Sequence, residues 1–121
     1  MSQFNDTGCG TVTLTATIAL YERVNLDGTR STATQQDVGC ALQAGVAGDP
    51  IGVSFPNKQG TQKAIAAGAI AAGAKVYTAN AGKVNDTQVS GSFLRGIAME
   101  AASADGDIIE IMPLVGDTAG S

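Results

Sequence analysis

The chain has 121 residues, a formal charge of −4, and neither histidine nor tryptophan, which together exclude several function classes. Its seven Lys and Arg are scattered rather than gathered into the basic stripe that nucleic acid demands. The missing histidines leave acid–base catalysis and zinc binding short of their usual groups. One domain of this length buries roughly two thirds of its unfolded surface. With 4% aromatics and 16 glycines, the core falls to Ala, Val, Ile and Thr, which favours thin, closely apposed β-layers.

Residues 1–10 carry no periodicity and read as an N-terminal arm. The start is polar and lacks the basic-then-apolar order of a signal peptide. Phe4 is a lone aromatic in a polar tail, so it needs cover, either on its own domain or in a partner's pocket. The candidate partner-contact residues are therefore Ser2, Gln3, Phe4, Asn5, Asp6 and Thr7.

From Thr11 to Leu20 the chain alternates, with Val12, Leu14, Ala16, Ile18 and Leu20 inward and four threonines outward. That period predicts a strand, which Tyr21–Val24 continue. Asn25-Leu26-Asp27-Gly28 is a predicted turn. Lys63–Ala74 is rich in Ala but is broken by Gly68 and Gly73, each costing a helix about 1 kcal/mol. It is expected as extended–turn–extended, with one or two helical turns as the alternative. Lys75–Thr78 then reads as a strand, Asn80-Ala81-Gly82 as a turn and Lys83-Val84 as the return. No run of small apolar residues reaches more than about half the length of a membrane-spanning helix.

One unit recurs within this order. Val38–Pro56, VGCALQAGVAGDPIGVSFP, matches Arg95–Pro113, RGIAMEAASADGDIIEIMP, without a gap at a shift of 57 positions (38 to 95). Identities fall at Gly39/Gly96, Ala41/Ala98, Ala44/Ala101, Ala47/Ala104, Ile51/Ile108 and Pro56/Pro113. About two would arise by accident in a chain this rich in Ala and Gly. Apolar type also pairs Cys40 with Ile97, Leu42 with Met99 and Phe55 with Met112, all expected in the interior. Each copy has the grammar of a hairpin: an apolar run, a small-residue turn with Asp, a second apolar run. Tyr21 and Tyr77 extend the pairing upstream. The expected fold is mainly β, a compact β-sandwich or small β-barrel from a duplicated strand–hairpin unit. The expected layout is an arm at 1–10, a single β domain at 11–115 with halves near 11–57 and 67–114, and a flexible tail at 116–121.

Catalytic chemistry finds little to work with. Asp105-Gly106-Asp107 is the densest acidic cluster, but a Ca²⁺ loop needs more oxygen donors, and Asp-Gly between apolar runs signals a hairpin turn. Gly68–Lys75 narrowly misses the phosphate-binding loop, since Ala74 separates Gly73 from Lys75 and Val76 replaces the Mg²⁺-binding hydroxyl. Cys9 and Cys40 lack a histidine partner and are read as free thiols, a disulfide between them being the alternative that an oxidising compartment would allow. No catalytic residue, cofactor or metal site is expected.

From Gly60 to Leu114 the sequence resembles the small capsid cement, or head decoration, proteins of tailed bacteriophages. The matching positions are Gly73, Val76, Tyr77, Gly82, Gly96, Ala98, Glu100, Ala101, Gly106, Asp107, Ile108 and Pro113. The likeness extends more weakly to Tyr21–Val24 and covers about three quarters of the chain. It implies a compact β domain that trimerises on the outer surface of the phage head and clamps neighbouring copies of the major capsid protein. It also implies a virion location, with the host cytoplasm occupied during assembly. Neither nucleic acid nor membrane is an expected partner. The competing readings are a phage tail, fibre or head-appendage module, and a small ligand-binding β module.

Overall fold

The computed structural model describes residues 9–55 and 61–113. The chain forms two antiparallel sheets. The first contains β1 (Cys9–Thr13), β2 (Arg23–Val24), β3 (Gly39–Ala41) and β4 (Pro50–Ser54), in the order β1-β4-β3-β2. The second contains β5 (Gln62–Ile65), β6 (Lys75–Thr78), β7 (Val84–Asn85), β8 (Leu94–Ala98) and β9 (Ile108–Pro113), in the order β5-β9-β8-β6-β7. One of the two sheets curls into a half-barrel. Ala66 bridges to Val84, bringing the end of β5 round to β7 at the far edge. In the first half, Thr15 N–H makes the corresponding bond to the Gly28 carbonyl at 3.1 Å.

The duplication holds in the hydrogen bonds, but at a register that the ungapped match does not have. Tyr21 N–H donates to the Ala41 carbonyl at 2.9 Å, and Gly73 N–H donates to the Ala98 carbonyl at 2.7 Å. Tyr21 therefore corresponds to Gly73, not to Tyr77, and both adopt left-handed backbone, with φ of 70° and 87°. Ile18 and Gly45 exchange a reciprocal pair of bonds, and so do Ile70 and Ala102. Gly48 N–H donates to Leu14 and Gly106 N–H donates to Ala66, both at 2.8 Å. The shift is thus 52 positions before the hairpin (18 to 70), 57 on its first strand (41 to 98) and 58 on its return (48 to 106).

The residue gained inside the hairpin is Ser103. Its N–H and hydroxyl both donate to the Asp107 carboxylate, at 2.8 and 2.9 Å. The matches Ala47/Ala104, Ile51/Ile108 and Pro56/Pro113 are coincidences of composition. The true equivalents are Gly48/Gly106, Asp49/Asp107 and Ile51/Ile109, with both glycines at φ 95°.

Each sheet encloses its own core. Val12, Leu14, Ile18, Val24, Ala41, Ile51 and Val53 fill the first. Their equivalents Ala64, Ala66, Ile70, Val76, Ala98, Ile109 and Ile111 fill the second, with Ala102 and Val84 added. The substitutions compensate in volume. A Cβ on Gly45 would stand 2.9 Å from Leu14 Cδ1, whereas in the second half Ala66 is short enough to admit the methyl of Ala102. Gly39 and Gly96 share one constraint: a Cβ would lie 2.3 Å from the facing carbonyl of Ser54 or Met112.

Several expectations need correction. The first strand is ordered from Cys9, so the last two residues of the predicted arm belong to β1. The second sheet starts at Gln62, ahead of the boundary at 67. Lys63–Ala74, by contrast, is extended, bridged and turned as expected, with no helix. Leu20 lies outside the core because the alternation breaks at Ala19, where the chain turns to present Tyr21 N–H to β3. Leu42, Met99 and Met112 are exposed, since Met112 takes the outward phase of β9 and Leu42 and Met99 stand just past the ends of β3 and β8.

Candidate functional site

The arm residues Ser2, Gln3, Phe4, Asn5, Asp6 and Thr7 lie outside the described residues, so the structure neither assembles nor disperses that site. The arm leads into β1, the edge strand of the first sheet. What the described residues add is a seam between the two halves that no sequence motif announced.

At the seam sits Asp37, on the loop between β2 and β3. Its carboxylate receives Arg23 Nε of β2 at 2.6 Å and lies 2.8 Å from Arg95 Nε of β8. Both arginines are buried, at 1% and 2% exposure, and Asp37 is equally covered. Two guanidinium groups thus share one carboxylate, which leaves one positive charge uncompensated by the pair contacts. One outer nitrogen, Nη2, of each arginine has no hydrogen-bond partner. Burial pushes Arg95 below the usual arginine range, Asp37 opposes that shift and Arg23 adds to it. Arg95 also lies over the Phe93 ring, 5.6 Å from its centroid, where the π-face helps to hold the cation.

Gln62 extends this network across the seam. It accepts from Arg23 Nη1 at 3.4 Å and donates to the Ser54 carbonyl at 2.7 Å. Thr78 donates to the Ala33 carbonyl at 2.7 Å, and Gly82 N–H donates to Ser31 at 2.8 Å. The loop carrying Asp37 is thereby fastened to the second half along its length.

Cys40 completes the seam from the first sheet, with Sγ 3.0 Å from the Lys63 carbonyl. Burial raises its thiol to about 11, with Arg23 pulling weakly the other way, so it stays protonated and unreactive at neutral pH. Cys9 and Cys40 both face Ser54 from opposite sides of β4. Two strand spacings, about 9–10 Å, part their Cα atoms, too far for a disulfide.

The turn aspartates act locally. Asp107 accepts from Ser103 twice and from Ala104, and these bonds hold its carboxyl below the usual range. Asp49 accepts from Val46 N–H in the equivalent turn. Asp105 meets Lys83 at 2.7 Å on the surface. Among the described residues, no group of three or more His, Cys, Asp or Glu could hold a metal ion.

Arg95 carried one readable signal, a charge placed inside the otherwise apolar β8 of a chain only 15% charged, whereas Arg23, flanked by Glu22 and followed by Asn25 after Val24, carried none. Their common partner had none. Asp37 stands in a polar loop, 58 residues before Arg95 (37 to 95), and looks like any solvated acid.

No curated protein sequence matches the chain. Among solved structures, it is similar to the head fibre gp8.5 N base of bacteriophage phi29, with a TM-score of 0.70 at 16% identity. That match covers 91% of this chain and 94% of the phage chain, so the two share a fold. The profile of the phage cement proteins matches residues 5–113. The chain belongs to the phage cement protein family.

Proposed function

We propose that this protein binds the outer surface of a phage capsid as a homotrimer and cements the capsomer lattice against the pressure of packaged DNA. The observation that carries the reading is the family match over residues 5–113, a span that contains the whole described fold. The physical character of the chain supports it. Two small-residue cores joined by a buried ionic seam make a body suited to transmitting load between contacts. A trimer touching several capsid subunits gains by effective concentration, so each contact can be individually weak. The major capsid protein is the partner in this reading, with residues 2–7 of the arm lying along it. The protein works by binding rather than by catalysis.

The likeness to a head fibre base favours a second reading, in which the same fold anchors an appendage to the head. Mixing the purified protein with undecorated and already decorated heads tests the first. Saturable attachment to undecorated heads alone, with heads surviving a higher temperature or lower salt, is the expected result. Attachment without any gain in head survival would favour the anchor. Deleting residues 2–8 should reduce occupancy, and undiminished occupancy would remove the arm from the contact.

A further inference from the structure

We propose that the outward face of the second sheet is a self-association surface on which a second copy of this chain docks. The inference rests on the trimer reading above and names the face that makes it. Three exposed apolar side chains mark this face: Met99 at 53%, Ile108 at 51% and Met112 at 40%. The strand register makes them neighbours. Met112 stands opposite Ile97, which stands opposite Lys75. Lys63 stands opposite Glu110, whose carbonyl takes the Met99 N–H. Ile65 stands opposite Ile108.

The first half supplies an internal control for what the fold itself requires. Two of these places are exposed in the first half, where Pro50 stands for Ile108 and Thr13 for Ile65, whereas Ser54 and Cys40, standing for Met112 and Ile97, are buried against the second half. Met99 keeps an exposed apolar counterpart in Leu42, but the fold forms with a small or polar residue at the outward places of Ile65 and Ile108, so the apolar residues there have another use. A contiguous exposed apolar face marks an interaction site in a soluble chain.

Charge decides in favour of a second copy. Lys63 and Lys75 make no ion pair among the described residues. They share the face with Glu110 and, at its rim, Glu100. Cations and carboxylates thus alternate around an apolar centre, so a rotated copy can set its lysines against the other copy's glutamates.

Light scattering on the full chain tests this, with Met99→Lys and Met112→Lys as probes and Leu42→Lys as control. Leu42 is the first-half equivalent of Met99 and equally accepts a charge at the surface. The expected result is a trimer mass for wild type and Leu42→Lys, and at least tenfold weaker assembly for both probes, with unchanged circular dichroism. Folded probes that assemble like wild type would overturn the inference and leave the trimer standing. A monomeric wild type removes the trimer reading and the inference together. Probes that stay trimeric but no longer attach to heads would assign the face to the capsid instead, again overturning the inference alone. If the probes fail to fold, carbodiimide cross-linking of mixed heavy- and light-isotope wild-type chains decides. Inter-chain links from Lys63 or Lys75 to Glu100 or Glu110 are expected, and links confined to other residues count against the face.

Discussion

The two halves of this protein are the same strand plan executed with different side chains, and each serves as a control for the other. What they share marks what the plan demands. Both place glycine where the neighbouring carbonyl would strike a Cβ, both place Gly then Asp at the hairpin turn, and both seat isoleucine at the reciprocal bridge and on β4 or β9. What they do not share marks what each half does for the whole. Arg23 of β2 turns inward to the seam, whereas its equivalent Lys75 on β6 is exposed. Cys40 is buried against the second half, whereas its equivalent Ile97 is partly exposed on an apolar outer face. One sheet thus gives its outer face to its sibling, and the other, beyond Arg95, keeps its face open.

The largest break in that relation should come from Asp37. Asp37→Asn removes the one carboxylate between two buried guanidinium groups and leaves uncompensated charges that cannot reach water. The expected loss is about 3–5 kcal/mol of unfolding free energy, read by urea denaturation. Arg95→Met is the informative counterpart. It removes the unbalanced charge, leaves the 2.6 Å Arg23–Asp37 pair intact and replaces one ion with apolar volume. Its cost should therefore be well below that of Asp37→Asn, and equal costs would show that the seam depends on packing rather than charge.

Next in size is a swap within the cores. Gly45→Ala puts a methyl against Leu14, an overpacking expected to cost about 1–3 kcal/mol. Leu14→Ala opens a cavity, expected to cost about 2–5 kcal/mol. Together they rebuild the Ala66–Ala102 arrangement of the second half, so the double variant should fall short of additivity by at least about 0.5 kcal/mol. Strict additivity in a double-mutant cycle would mean that the complementary residues of the two halves are unrelated.

Much of the fold was legible because alternation and turn chemistry are local. Val12, Leu14 and Ile18 kept their predicted phase even past the end of β1, and both Gly-Asp turns stood where the hairpin grammar put them. The duplication was visible, but its register was not. In so alanine-rich a segment, one inserted serine can be absorbed by accidental identities, and only the hydrogen bonds expose it. Tyr21 misled for a related reason. Matching by residue type paired it with Tyr77, while the backbone pairs it with Gly73, since the shared property is a positive φ rather than an aromatic ring. The seam was the least readable part. Asp37 gains its role only when β8 arrives from the other half, and no local pattern encodes that meeting.

The hairpin turns provide smaller and cleaner tests. Gly48 and Gly106 both sit at φ 95°, and a methyl added to either would meet nothing within 4 Å. Alanine at either should cost about 1–2 kcal/mol through backbone conformation alone, and by the same amount in both halves. A marked difference, measured by thermal melts, would show that the two turns are not equivalent.

The aspartates that follow those glycines should differ. Asp107 accepts three hydrogen bonds, two of them from the inserted Ser103, where Asp49 accepts one from Val46. The bonds to Asp107 lower its folded pKa beneath the unfolded value of about 3.9. Its contribution to stability is therefore complete above that unfolded value and is lost as pH falls through it towards the folded pKa. Ser103→Ala deletes the hydroxyl donor while leaving the backbone donors in place, and Asp107→Asn removes the titrating group altogether. Melting temperatures taken from pH 6 to pH 2.5 should show a shallower acid limb for Ser103→Ala than for wild type, and a shallower one still for Asp107→Asn. Because the carboxylate is at the surface, both effects should be small against that of Asp37→Asn. An acid limb unchanged in Asp107→Asn would mean that the extra residue of the second hairpin lengthens the turn without strengthening it.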